Sequence, residues 1–319
     1  MATTVGSSGA PEQTKLLLQD MLSKHHERVF NVALDKDEQQ YHQAYLYLVM
    51  ALVREFWNGN RRGVTGTYFY RETQKNPAGF WSSGLQYLGH NIAAIAVDGD
   101  GDVIDFDFNH NEIFKSSMEH AEARLLRRLF SLTGLRADWS QALGEDYYSK
   151  DPRPDDPQSL SERKERFSTT LSKVTIYTSL EPCAQCAGMM ALARIPKVVY
   201  LQEDPGAERV ADILHILKPY GYAAEPIPAS ACGLKYGTNL DRAYGEYRRL
   251  MSDPKADPFY VSADGRIDRS TNLTAFLCTD PAKREYDDAA NAFLESSTST
   301  GLRDFFEYAK EGGHRGTPH

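Results

Sequence analysis

Cysteine is scarce in this 319-residue chain: there are four, of which Cys183 and Cys186 stand three apart while Cys232 and Cys278 are isolated. That excludes a disulfide framework as the source of stability and suits metal binding better. Long apolar runs are also missing. The best, residues 44–53, is bounded by Gln43 and Arg54 and falls short of the roughly 18 residues of a membrane span, so it reads as a core helix and no membrane partner is expected. Residues 1–13 are rich in Thr, Ser and Gly and hold no apolar stretch, so no secretion signal is expected and the protein is expected to be cytoplasmic. The sequon Asn272-Leu273-Thr274 then carries no meaning. Nor is there an excess of positive charge. The 36 basic residues against 44 acidic ones give a formal charge of −8, which argues against a large polyanionic partner. What is present suffices for folding, since 41% hydrophobic residues in a chain of this length build one large domain or two modest ones.

Residues 1–36 read as a tail followed by a helix carrying Leu16, Leu17, Leu18, Met21 and Leu22. A stronger helix is expected over residues 37–57, where Tyr41, Ala44, Tyr45, Leu48, Leu52 and Phe56 follow helical spacing until Asn58-Gly59. Residues 61–90 concentrate Tyr68, Phe69, Tyr70, Phe80, Trp81 and Tyr87, an ordered insertion that reads as a pocket wall. A hairpin follows, with strands at 92–97 and 103–108 around Asp98-Gly99-Asp100-Gly101. The next helix is expected to open with a capping box, Ser116 and Glu119, and to carry the stripe Met118, Ala121, Leu125 and Leu129. Residues 136–172 are charged and proline-rich, a solvated excursion with a short helix at 160–167. A strand at 174–179 leads to a helix with Pro182 as its first residue, ending near Ile195-Pro196. Then come a strand at 198–201, a helix at 210–217, an extended piece at 224–227, and helices at 240–251, 283–294 and 302–309.

The chemistry lies in His120-Ala121-Glu122 and Pro182-Cys183-Ala184-Gln185-Cys186, which together match the zinc deaminase signature H-x-E and P-C-x-x-C. Cys183 and Cys186, at i and i+3, share one helical face at a helix N-terminus, where the dipole favours thiolates. An imidazole from a neighbouring helix completes three ligands. The fourth position is left to a water of lowered pKa, the arrangement of a catalytic zinc. Glu122, two residues beyond His120, reaches that water without ligating and can pass its proton to a substrate nitrogen. Taken singly, Cys-x-x-Cys also fits a redox pair or half a zinc ribbon, and a lone histidine is usually a packed or surface residue. The combination, with no second cysteine pair to close a structural site, favours catalysis.

The run from Tyr177 to Tyr200, with its Leu180-Glu181-Pro182-Cys183 and Ala193-Arg194-Ile195 flanks, resembles the cytidine deaminase superfamily and the Tad-type tRNA adenosine deaminases in particular. The resemblance covers residues 41–251 with gaps. It implies an α/β fold, a three-layer α/β/α sandwich around a mixed five-stranded sheet with helices added at both ends. The fourth and fifth strands run parallel, joined by the helix at 210–217. It divides the chain into residues 1–36, a deaminase domain at 37–251 and a helical extension at 252–319, and implies a homodimer. It also implies Zn2+ on His120, Cys183 and Cys186, Glu122 as proton shuttle, and substrate contacts from Asn109, or its neighbour Asn111, and from Ala121, Glu181 and Pro182. Trp81, just upstream of the hairpin, has two readings, a ring that stacks on the base and a buried packing residue, the commoner role of a tryptophan.

The expected reaction is hydrolytic deamination of a nucleobase, free or in a nucleoside or nucleotide. The alternative is an adenosine or cytidine deaminase acting on tRNA or single-stranded nucleic acid, and a third reading is an inactive zinc-containing scaffold. The insertions and the tail are extra to a compact Tad-type enzyme. Two aromatic clusters, Tyr244 and Tyr247 with Arg248 and Arg249, and Phe305, Phe306 and Tyr308, have helical spacing and are expected to pack in the core.

Overall fold

The computed structural model describes residues 32–57, 89–111, 114, 116–132, 171–204, 224–255, 260–261, 267–268, 270–296 and 300–313. The first helix, α1 (Lys36–Glu55), starts at a true capping box: Asp35 Oδ1 accepts from Asp37 N and Glu38 N, and Glu38 Oε2 accepts from Asp35 N. Leu46, Leu48, Val49, Met50, Leu52 and Val53 are all buried, so α1 is covered on nearly every side.

The hairpin strands are β1 (Ala93–Val97) and β2 (Val103–Phe108). Asp98 Oδ1 accepts from Asp100 N and Asp102 N, and Gly101 takes φ 92, a backbone region that disfavours a side chain. Tyr45 donates to Gly101 O at 2.7 Å and so fastens the turn to α1. Strand β3 (Thr175–Thr178) runs antiparallel to β1, and β4 (Lys197–Tyr200) and β5 (Glu225–Pro228) continue parallel to it, giving the order β2-β1-β3-β4-β5. The mixed five-stranded sheet is the one the sequence implies.

Strand alternation separates the faces. On β2, Phe106 and Phe108 point to the α1 side, where Phe56 stacks 4.8 Å from Phe108, while Asp107 points to the opposite side. There lie α2 (Ala121–Leu132) and α3 (Ala184–Leu192). On β3, Tyr177 meets His42 of α1, and Thr178 meets Glu122 of α2. The remaining helices are α4 (Lys235–Ser252), α5 (Leu273–Phe276), α6 (Asp280–Glu295) and α7 (Thr300–Gly312), with a two-stranded β6 (Tyr260–Val261) and β7 (Ile267–Asp268) after α4. Helix α6 lies along α1, and α7 packs on α1 and β2, so the added C-terminal helices cover the outer side of α1. Phe305 and Phe306 are buried there, with Phe305 and Tyr308 both edge-on to Phe106, while Tyr244 and Tyr247 donate to Thr271 O and Ser270 O. Both clusters pack as expected.

Two expected helix starts are corrected. Helix α2 begins at Ala121, not Ser116, because Ser116 Oγ accepts from Met118 N in a tight turn and the Glu119 carboxylate turns to Arg124 and Arg127. Met118 is 56% exposed and lies outside the stripe, whereas Ala121, Leu125 and Leu129 are buried. Helix α3 begins at Ala184 with extended Cys183 as its N-cap, so Pro182 stands two residues before the helix. It closes with Arg194 at φ 55 and Ile195 N bonded to Met190 O. Trp81, the helices expected near 16–22, 160–167 and 210–217, and nearly all of the two insertions lie outside the described residues.

Candidate metal and catalytic site

Strands β2 and β3 end at one edge of the sheet, and the loops that follow them deliver two helix N-termini to the same place. His120 immediately precedes α2, its carbonyl accepting from Arg124 N at 3.0 Å. Ala121 N has no partner inside the first turn, as every helix start dictates. It is satisfied instead by Asn109 Oδ1 at 2.6 Å, so the strand end caps the helix. Across from it, Cys183 caps α3 through its carbonyl alone, and its thiol is left to face His120.

The three donor atoms form a compact triangle. Cys183 Sγ lies 3.2 Å from His120 Nδ1 and 3.6 Å from Cys186 Sγ, and Cys186 Sγ lies 3.7 Å from His120 Nδ1. Ligands at zinc's bond lengths on a tetrahedron are separated by about 3.5 to 3.8 Å, so this donor set fits the ion with only small adjustment. The hydrogen bond with Cys186 first, and then that with His120, pulls the pKa of the Cys183 thiol down to about 4. The Cys186 thiol is raised well above its usual range, first by its hydrogen bond with Cys183 and then by its burial. His120 is raised, chiefly by its hydrogen bond with Cys183. One thiolate is thus already favoured before any ion is considered, which suits a soft divalent cation.

Glu122 sits beside this triangle at 4% exposure. Its Oε1 accepts from Thr178 Oγ1 at 2.8 Å, and its Oε2 is 3.6 Å from Cys186 Sγ. Burial raises its pKa above the usual carboxylate range. A carboxyl so placed holds a proton more readily than one in water.

The other expected residues gather around the same edge. Asn109 is buried, and because Ala121 N is a donor, the Asn109 amide must present its oxygen there and its NH2 elsewhere. Asn111 instead accepts from His90 N at 3.3 Å. Ala121 and Pro182 are buried, and Glu181 accepts from Asp204 N at 3.0 Å. Beneath them lies a buried ion network absent from the sequence reading. Arg124, 0% exposed, donates to Asp107 at 2.9 Å and to Glu119 at 2.7 Å, while Arg128 bonds Asp107 and Arg127 bonds Glu119. Its signal was the alternation Asp105-Phe106-Asp107-Phe108, two carboxylates on one strand face, opposite arginines at helical spacing. Thr178 was also missed.

Residues 79–202 match the family model described as the cytidine and deoxycytidylate deaminase zinc-binding region. Among solved structures, a tRNA:A34 deaminase of A-to-I editing at the wobble position of transfer RNA is 20% identical, with 43% of this chain and 82% of that one covered and a TM-score of 0.26. A guanine deaminase from Nitrosomonas europaea is 18% identical over 47% of this chain and 74% of its own, with a TM-score of 0.26. RibD of Acinetobacter baumannii is 16% identical over 64% and 39%, with a TM-score of 0.33. Likeness at that level lends this chain no substrate. The donor triangle and Glu122 both fall within residues 79–202, so it is this segment that resembles the zinc-binding region of cytidine and deoxycytidylate deaminases.

Proposed function

We propose that this protein hydrolytically deaminates a nucleobase, presented as a free base, nucleoside or nucleotide, replacing an exocyclic amine with a carbonyl and releasing ammonia. The observation that carries the reading is the placement of buried Glu122 against the His120, Cys183 and Cys186 triangle. Zinc on those three residues supplies the Lewis acidity that makes water a nucleophile near neutral pH. Glu122 takes the proton of the attacking water and delivers it to the amine nitrogen, which leaves as ammonia. Its burial keeps that proton from exchanging freely with solvent. Asn109, pinned through its oxygen, offers its NH2 to an acceptor on the base. Ala121, Glu181 and Pro182 are the wall residues of this reading, to which the sequence adds Trp81, outside the described residues, as a candidate for stacking on the base.

The test is an ammonia-release screen of the zinc-loaded protein over bases, nucleosides, nucleotides and short oligonucleotides. Turnover is expected on a small substrate and abolished in Glu122→Ala with zinc retained. Cys186→Ala is expected to lose both zinc and activity. Turnover confined to oligonucleotides, with binding that falls steeply with salt, would replace the small-molecule reading by the polynucleotide one. No ammonia from any of them would overturn the deaminase reading.

A further inference from the structure

Glu122 has two chemically equivalent oxygens, and the fold treats them differently. Thr178 ends β3, its backbone held on both sides by pairing with Ala94 of β1 and Tyr200 of β4, and its carbonyl accepts from Leu201 N. Its side chain is 0% exposed and β-branched, so backbone and rotamer together leave the hydroxyl little freedom. A valine would fill the same space in a central strand and suit it better. The hydroxyl is instead present, and it donates to Glu122 Oε1 at 2.8 Å.

The contact at the other oxygen is of a different kind. Cys186 Sγ, 3.6 Å from Glu122 Oε2, can donate only while it is a thiol. A thiol is a weak donor and its contact at 3.6 Å is long, whereas the Thr178 hydroxyl makes a full hydrogen bond at 2.8 Å, so Oε1 is the oxygen that the fold holds. Resting on the deaminase reading above, we propose that Thr178 is a positioning residue that anchors Glu122 through Oε1 and leaves Oε2 as the oxygen that accepts the water proton and returns it to the departing amine. Without the anchor the carboxyl turns about its last bond and either oxygen faces the site, and a misplacement on the order of 1 Å costs roughly 10²-fold in rate.

The experiment compares Thr178→Val, Thr178→Ala and Thr178→Ser in the zinc-loaded full chain. Thr178→Val and Thr178→Ala are expected to lose roughly 10- to 100-fold in kcat with KM within about twofold and zinc content unchanged. Thr178→Ser, which keeps the hydroxyl, is expected to recover most of it. An independent readout is the infrared carboxyl band of Glu122, isolated by subtracting the spectrum of the matching Glu122→Gln protein. That band is expected to shift in the Val and Ala backgrounds and to stay in place in the Ser background. An unshifted band, or full kcat in Thr178→Val, overturns the inference. A parallel rise in KM or loss of zinc in both hydroxyl-free variants also overturns it, because the hydroxyl then supports the site as a whole. A wild-type protein without turnover overturns the deaminase reading, while the infrared comparison still decides whether the anchor exists.

Discussion

Replacing Arg124 by methionine removes a cation from a place where water cannot substitute for it. Arg124 is fully buried, and Asp107, likewise inaccessible, faces it at 2.9 Å, with Glu119 at 2.7 Å on its other side. Methionine fills most of the volume, so the perturbation is electrostatic rather than a cavity. Breaking a buried pair from one side costs about 3 to 5 kcal/mol, because the partner is left charged and undersolvated. Here each carboxylate keeps a second arginine: Asp107 has Arg128 at 3.0 Å, and Glu119 has Arg127 at 2.7 Å, whose side chain is 35% exposed. The loss therefore belongs at the lower end, about 3 kcal/mol, a large share of the 5 to 15 kcal/mol typical of a whole domain. Urea unfolding of the zinc-loaded protein at fixed zinc should show the midpoint falling with an unchanged slope. Adding Asp107→Asn to Arg124→Met should recover part of the loss, since one of the two buried carboxylates left with a single arginine is then neutral. A loss below about 1 kcal/mol for Arg124→Met would refute the claim that the cation is structurally required.

Gly89 lies so close to the strand exit that a Cβ there would sit 2.3 Å from Asn109 O, a backbone atom that cannot yield alone. Gly89→Ala is expected to displace Asn109, raising KM and lowering stability by about 1 to 3 kcal/mol, and Asn111→Ala should not rescue it; unchanged kinetics and melting would count against that packing. His42 is held down to about 4, first by burial and then by Lys197, and it pairs with the Tyr177 hydroxyl at 2.8 Å. The unfolded chain protonates it near 6.5, so its contribution to stability is complete above that pH and is lost as pH falls from 6.5 toward 4. Urea midpoints across that window should fall less steeply in His42→Gln than in the wild type, and parallel profiles would exclude His42 as a cause. Arg194, at φ 55, pays a backbone penalty that glycine does not, so Arg194→Gly should raise the melting temperature by an amount equivalent to about 0.5 to 1 kcal/mol. A lower melting temperature would mean that the arginine side chain holds a contact worth more than the strain.

The zinc ligands were legible because their chemistry and spacing are local: two cysteines at i and i+3, and a glutamate two residues past a histidine. The hairpin and α1 were legible for the same reason, since apolar period and turn residues lie within a few positions of one another. What escaped depends on contacts distant in sequence. The α2 cap comes from Asn109, 12 positions away, and a local rule looking only at Ser116 and Glu119 finds a plausible box in the wrong place. An arginine reads as a solvent residue until the carboxylates of a neighbouring strand are known to face it, so Arg124 had no signature of its own. The covering of α1 by α6 and α7 likewise arises from tertiary packing, although the burial of α1 on nearly every side requires something to lie there. Thr178 looked like an ordinary strand threonine, and only the Glu122 carboxyl opposite it distinguishes its hydroxyl from a methyl.

His120 and Cys183 are 63 positions apart and stand on the starts of two different helices, so whatever bridges them also ties those helices together. Zinc at a hundred times its dissociation constant would add about 2.7 kcal/mol to the folded state. On the proposed function, treatment with a chelator should therefore loosen the protein as well as abolish turnover. The amount of folded protein in a cell would then follow zinc supply, and a zinc-starved cell would lose the chain to proteolysis as well as losing any zinc-dependent activity.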